Sequence, residues 1–460
     1  MKKKYFNIFS TLFLLVPVVG MSQVQIGQDL LGGGVWSNMA LSPMGNIVAT
    51  PYGSSTKVYE EISGVWTQIG QDIPMGAFSI SLSSYGNIVA IGNNADTNVN
   101  GASAGAVGVY EFDMGVWKQK GQQILGKTAE EQSGFSISLS SNGNMVAIGA
   151  PYKAWQGDIY NPSGTVRVYN YSNLSGSWNQ VGQDIDGQGF GDYSGTGISL
   201  SGNGKVLAIG TIFEGLTGVV RVYNNINGVW FQIGSTIHSV GGYSRFGRSV
   251  SLSVDGSVLA IGGYRRNGLG ILRGHVRLYK NVSGVWKQIG NDIEGEADYE
   301  QVGFGVSLSA DGSTVAVGGL MDATGQVPGG TRVYKNISNV WTKVYNDINF
   351  GFYVSLSAGG ERVAVKGVGK TQVYDLTKAS SSNHMSEVDF KIYPNPATDI
   401  LNISLNGNLI LEKVIIYNNL GQVVKTTNHT VINIDHLSPG VYFVEVSTNH
   451  GRDIKKLIVK

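Results

Sequence analysis

Residues 101–105 read Gly-Ala-Ser-Ala-Gly and set Ser103 in a G-x-S-x-G frame, which exposes a serine nucleophile only on a strained turn between a strand and a helix. Here the frame lies in a Gly/Ala loop between two strands, so it reads as a turn and no catalytic residue is assigned. Asp96, Asn98, Asn100 and Gly101 spell the first half of a calcium loop, but its twelfth position is Val107 where a bidentate Glu is required. Six histidines are scattered, three of them at His384, His436 and His450, and none has H-E-x-x-H spacing. With no cysteine, disulfides, thiolate metal sites and cysteine nucleophiles are excluded. The sequence therefore assigns neither a metal nor a cofactor. Four loop acids, Asp158, Asp192, Glu296 and Asp298, could converge as the carboxylate pair of a glycosidase.

A second group could bind rather than react. Tyr152, Trp155, Tyr160, Tyr193, Tyr243, Arg245, Tyr264, Arg265, Arg266 and Tyr299 are aromatics and arginines that break an otherwise regular repeat, and these types are enriched at binding surfaces.

The elements that position them follow from self-comparison. A phrase of the type SISLSSNGNMVAIG recurs seven times, its central leucine falling at Leu41, Leu82, Leu139, Leu200, Leu252, Leu308 and Leu356. Each unit continues with a tyrosine (Tyr59, Tyr110, Tyr169, Tyr223, Tyr279, Tyr334, Tyr374) and, in six units, a tryptophan followed by a segment of the Gln-Ile-Gly-Gln-Asp type. Phe135, Ile137 and Leu139 alternate with Ser136, Ser138 and Ser140, the period of a strand. Four strands per unit, no helical period and 66 glycines for tight turns predict an all-β chain, a seven-bladed β-propeller of four-stranded antiparallel blades over residues 23–376. The small serines of the first strand suit the crowded axis. One Gln-Ile-Gly segment, Gln25 to Leu30, precedes every other strand, while the last unit ends at Tyr374 without one. The N-terminal strand is thus expected to close the last blade. The recurring Trp66, Trp117, Trp178, Trp230, Trp286 and Trp341 read as packing between blades. Long connections gather on one face, the expected binding side.

In stretches such as FGRSVSLSVDGSVLAIGG and FSISLSSNGNMVAIGAPYKAWQGDIYNPSGTVRVYN the repeats resemble the FG-GAP units of integrin α-chains, over about residues 23–376. That family often carries an Asp-rich calcium loop between its first two strands. Here those positions read SPMGN, SSYGN, SSNGN, SGNGK, SVDGS, SADGS and SAGGE, so the calcium role is not implied.

Residues 1–22 read as a signal peptide, with Lys2, Lys3 and Lys4 before an apolar run from Ile8 to Gly20 and a mature start near Gln23. The run is shorter than the ~20 residues of a spanning helix, so no transmembrane anchor is expected. Without those three lysines the chain holds two more acids than bases, which excludes a nucleic-acid partner. After a polar linker at 377–388, residues 389–460 read as a small Ig-like β-sandwich. Within it YPNPATDILNISL, IYNNLGQVVKT and LSPGVYFVEVSTNHGRDIKKLIVK resemble the type IX secretion C-terminal sorting domain. Tyr393, Pro394, Asn395, Pro396, Gly421, Gly440 and Tyr442 occupy its motif positions. The resemblance implies the type IX machinery as a partner and a secreted or outer-surface destination. The sequence thus points to a non-catalytic recognition or adhesion protein binding an extracellular protein or glycan. A secreted polysaccharide-degrading enzyme and a structural surface-layer component are the alternatives.

Overall fold

In the computed structural model, residues 23–239, 244–265, 272–320, 330–377, 390–405, 409–418, 423–448 and 451–460 are described. The expected signal peptide and most of the linker lie outside them. Contacts divide the chain into two compact units, residues 1–378 and 379–460.

Each repeat of the first unit folds into one antiparallel sheet in chain order. The third is typical: Ser136–Leu139 pairs with Met145–Ala150, that with Thr165–Ser172, and that with Ser177–Gln180. The outer strand starts just before the tryptophan, earlier than the Gln-Ile-Gly motif suggests, and stops at Gln119 in the second sheet, before the left-handed turn of Gly121 (φ 73°). A Cβ on Gly121 would stand 2.9 Å from the Trp178 ring.

Seven such sheets succeed one another, and the seventh is completed from the other end of the sequence. Val24 and Gln25 pair with Asp375 and Tyr374, and Leu30 and Leu31 with Thr371 and Lys370. Seven hydrophobic cores lie between consecutive sheets, the last joining Ile26, Leu30, Ala364 and Val373 of the seventh to Leu41, Val48 and Trp66 of the first. Backbone bonds close the same cycle at the turns after the inner strands. They run Met44 to Ser84, Ser84 to Ser141, Ser141 to Gly202, Gly202 to Val254, Val254 to Ala310, Ala310 to Ala358 and Ala358 to Pro43, N–H to carbonyl. The arrangement is all-β and propeller-like.

The serines of the inner strands have a defined task. Ser81, Ser138, Ser199, Ser251, Ser307 and Ser355 each accept, at 2.9–3.0 Å, the N–H of the repeated leucine in the next sheet. At the remaining junction Ala40 has no hydroxyl, and Asn38 Oδ1 instead accepts Ile80 N–H at 2.7 Å.

The tryptophans fasten the rim. The indole N–H of each donates to a backbone carbonyl of the preceding sheet's outer segment, as Trp117 does to Ile69 at 2.9 Å and Trp66 to Ile26 at 2.9 Å. Gln71 grips Trp117 from both sides, its amide donating to the carbonyl (2.7 Å) while its oxygen accepts the N–H (3.0 Å). Gln28, Gln122 and Gln183 repeat this on Trp66, Trp178 and Trp230. A buried polar group is retained where its bonds are met, and here the bonds also set the spacing of neighbouring sheets.

Lys366 occupies the position held by Gly92, Gly149, Gly210, Gly262 and Gly318 in other sheets. It is fully buried, and its ammonium donates to Gly34 O at 2.8 Å, tying the seventh sheet to the chain crossing into the first. Burial pushes its pKa down to about 8. Between that pH and the usual 10.5 the folded chain has released a proton that the unfolded chain holds, so stability rises with pH across this window. Lys366→Met is expected to be stabler than the parent by roughly 2–3 kcal/mol at pH 7, and equal to it near pH 10.5, in urea titrations. A gap independent of pH would contradict this assignment.

The second unit places Phe390–Tyr393, Ile400–Leu405 and Val431–Asn433 in one sheet and Val423–Thr427, Leu411–Asn418, Gly440–Thr448 and Gly451–Val459 in another. Phe390, Leu401, Val414, Ile416, Val444 and Leu457 form the core between them.

Candidate functional site

Where the inner strands emerge at one end of the axis they frame a depression of about 150 Å³. Asn38, Phe78, Phe135, Thr196, Arg248, Phe304 and Tyr353 line it, one from each sheet. Most stand four residues before the repeated leucine, the register at which the strand leaves the packed axis. That position holds Ser37, Phe78, Phe135, Thr196, Arg248, Phe304 and Phe352, varied types in a repeat that is otherwise regular.

Above the depression runs a collar of rings. Phe78 meets Phe135 at 4.8 Å between centroids, Phe135 meets Tyr152 at 6.1 Å, and Tyr152 meets Tyr193 edge-on at 5.3 Å. Tyr193 meets Phe213 at 5.3 Å, and the Arg245 guanidinium lies 4.8 Å over the Phe213 ring. Arg245 Nη1 donates to Tyr264 Oη at 2.6 Å, and Tyr264 packs edge-on against Phe304 at 5.4 Å. Trp36 flanks Phe304 at 6.3 Å, while the Tyr353 hydroxyl donates to Trp36 O at 2.8 Å. Arg248 lies 4.7 Å over the same Phe304 ring. Trp36 remains 55% exposed and Tyr152 38% exposed, whereas Tyr264 and Phe304 are buried, so the collar meets solvent through Trp36 and Tyr152.

The loops beneath the collar share one construction. Gln132, Tyr193, Arg245 and Gln301, each seven residues before a repeated leucine, all have left-handed backbones with φ of 50–55°. That region disfavours non-glycine residues by about 1–2 kcal/mol, so the loop must hold them there. At three of the four sites the preceding acid does so. Glu131, Asp192 and Glu300 are buried and accept loop N–H groups of Lys127, Gly189 and Glu296 at 2.6–2.7 Å. Glu131 also receives two bonds from Arg167, and Glu300 pairs with Arg332.

Of the acids considered as a catalytic pair, Asp192 belongs to this construction. Burial, reinforced by Glu214, raises the Asp192 pKa, and its carboxylate is engaged by Gly189 N–H. Asp158 accepts Tyr160 N–H and the Asn161 amide within its own hairpin. Glu296 pairs with Lys343 at 3.1 Å and Asp298 with Arg273 at 2.8 Å. Asp158 and Asp192 are thus engaged within their own loops, and Glu296 and Asp298 in ion pairs. Ser103 lies in a turn with φ 47° and no following helix, and Asn98 and Asn100 spend their amides on Gly105 O and Gly126 O. Among the described residues no three His, Asp or Glu side chains gather as a metal site.

Of the residues singled out as binders, the structure brings Tyr152, Tyr193, Arg245 and Tyr264 into the collar. Tyr160 stands apart, 84% exposed on a hairpin formed by Ala154–Trp155 and Asp158–Pro162. Arg265 and Tyr299 are exposed outside the chain of ring contacts, whereas Tyr243 and Arg266 lie outside the described residues. Trp155 pairs through its backbone with Asp158. Trp36, Phe78, Phe135, Phe213, Arg248, Phe304, Phe352 and Tyr353 were not anticipated.

Burial raises the Tyr152 pKa, with Tyr193 adding to the effect and Arg248 and Arg245 opposing it. Burial likewise raises that of Tyr353 against Arg248. Both phenols therefore remain hydrogen-bond donors at neutral pH. Neither Arg245 nor Arg248 forms an ion pair among the described residues; Arg245 lies against the Phe213 and Tyr264 rings and Arg248, on the wall of the depression, against Phe304.

In the C-terminal unit the motif residues fasten the last strand. Asn395 Nδ2 donates to Lys456 O at 2.7 Å and its oxygen accepts Ile458 N–H at 2.9 Å. Buried Tyr442 donates its hydroxyl to Ser438 O at 2.9 Å, while Tyr393 is half exposed. Gly440 begins the strand that pairs with the terminal one, and Gly421 lies outside the described residues.

The chain is thus an all-β, propeller-like protein with a separate C-terminal module, and comparison with known proteins identifies that module. Residues 391–460 match the family model described as Secretion system C-terminal sorting domain. The chain carries the sorting domain of type IX export, which makes it a substrate of that machinery and a secreted or cell-surface protein. No curated protein matches the chain. Among solved structures, Kuenenia stuttgartiensis Hydrazine Synthase is similar with a TM-score of 0.51 and 11% identity, over 75% of this chain and 97% of that one. At that identity the likeness concerns the fold alone. Among the described residues no helix is long and apolar enough to cross a membrane.

Proposed function

We propose that this chain is a surface-displayed or released recognition protein, an FG-GAP-like seven-bladed propeller over residues 23–376 that binds an extracellular glycan or protein through its long-loop face. The single observation that carries this reading is the collar: rings from separate repeats, Trp36 and Tyr152 among them exposed, brought together at one mouth with two arginines that form no ion pair among the described residues. Aromatic rings and arginine are the residue types that dominate binding energy at interfaces. At about 150 Å³ the depression is smaller than the ~300–1,000 Å³ of pockets that bury a whole small molecule. It suits a terminal group of a larger partner.

In this reading Gln23 is the first residue of the mature chain, and its amide already donates to Asn346 O at 3.0 Å, where ring closure starts. The reading predicts saturable binding of the mature chain to a surface polysaccharide or protein without turnover, by titration calorimetry paired with product analysis. Cleavage of a polysaccharide, abolished by substituting one acid, would replace it with the enzyme.

A further inference from the structure

We propose that the collar receives a carboxylate-bearing sugar residue at the end of a glycan, with Arg245 and Arg248 as the carboxylate receptors and the surrounding rings as stacking platforms. The inference rests on the recognition reading and names its ligand class.

Charge comes first. Arg248 stands at a register where other sheets carry Phe78, Phe135, Phe304 and Phe352, so a cation replaces a ring on the wall of the depression. Arg245 is three residues away, on a left-handed backbone held by the loop, and Arg248 N–H donates to its carbonyl at 3.2 Å. Both guanidiniums oppose the rise that burial causes in the Tyr152 pKa. A guanidinium has five N–H donors, and the one side-chain bond of Arg245, to Tyr264, leaves most of its donors for a ligand. A carboxylate presents two oxygens that match a guanidinium fork, a geometry it shares with phosphate.

The rings select what carries that carboxylate. Stacking on Tyr152, Tyr193 or Trp36 requires a flat, partly apolar face, which a pyranose presents through its C–H groups. An extended peptide would seek a free backbone edge. The inner strands are edge strands, but they converge on the axis, and the repeated leucine N–H groups of six sheets are already taken by serines of the neighbouring sheet. The size of the depression admits one terminal residue rather than a threaded chain.

The test uses the mature chain, residues 23–460, against immobilised oligosaccharides ending in a uronic acid, the same oligosaccharides after carboxyl reduction, and a sulfated set. Binding is expected to uronate ends, to fall about tenfold or more on carboxyl reduction, and to fall similarly in Arg245→Gln and Arg248→Gln with unchanged melting. Arg248→Lys is expected to retain part of it, and added salt to weaken it. Equal binding to acidic and reduced ends, or preference for sulfate, would overturn the carboxylate assignment while leaving recognition standing. Binding only to a protein partner would overturn the glycan assignment. No saturable binding to any glycan or protein would overturn both this inference and the recognition reading.

Discussion

A chain lacking residues 23–31 is expected to lose cooperative folding of the first unit, although the deleted segment is remote in sequence from the sheet it completes. The segment supplies the outer pairing of Tyr374 and Asp375, buries Ile26 and Leu30 between the seventh and first sheets, and accepts the Trp66 indole N–H. Asp29 receives bonds from Lys370 and Gln372 at 2.8 Å. Two buried aliphatic side chains contribute about 1.5–3 kcal/mol each and the net hydrogen bonds about 1 kcal/mol each, a loss comparable with the ~5–15 kcal/mol that holds a domain folded. The exposed edge would also invite aggregation. Thermal melting of the truncated chain, and its rescue by a synthetic peptide of residues 23–31, measures this. Melting identical to the intact chain would refute closure by the N-terminal strand.

Trp117→Ala should cost about 3–5 kcal/mol, as for other large buried aromatics. The ring is buried between the first and second sheets, and its removal leaves the Ile69 carbonyl without its indole donor, whereas the Gln71 bonds to the backbone of residue 117 remain. Trp117→Phe keeps most of the packing and should cost less, by roughly the share of one hydrogen bond. Trp36→Ala is the contrast: that ring is half exposed on the collar, so stability should hardly change. Urea midpoints of the three variants separate a packing tryptophan from a surface one. A small effect at Trp117 would remove the clasp from the account.

How much of this was legible follows from where each residue lies relative to the repeat. The period of the leucines and the strand missing after Tyr374 announced both the sheets and the closing pairing of Val24 and Gln25. Tyr152, Tyr193, Arg245 and Tyr264 were visible because they interrupt the repeat. Phe78, Phe135 and Phe304 were not, since they sit inside the repeated phrase and look like ordinary alternation of an inner strand. The available signal was variation at that register, above all Arg248 and Thr196 among phenylalanines. Trp36 lies between the closing strand and the first sheet, where no repeat exists to compare. Tyr160 satisfied the same compositional rule but sits on a hairpin away from the axis, because composition cannot tell which way an insertion projects. Lys366 could have been found as the one lysine at a glycine register.

The most direct measurement of the central claim is binding by a mature chain carrying Tyr152→Ala and Tyr193→Ala, compared with its parent against the same partner. These rings meet edge-on at 5.3 Å on the solvent side of the mouth. The account predicts that affinity falls tenfold or more while the urea midpoint shifts little. Unchanged affinity in a folded double variant would place recognition somewhere other than the collar.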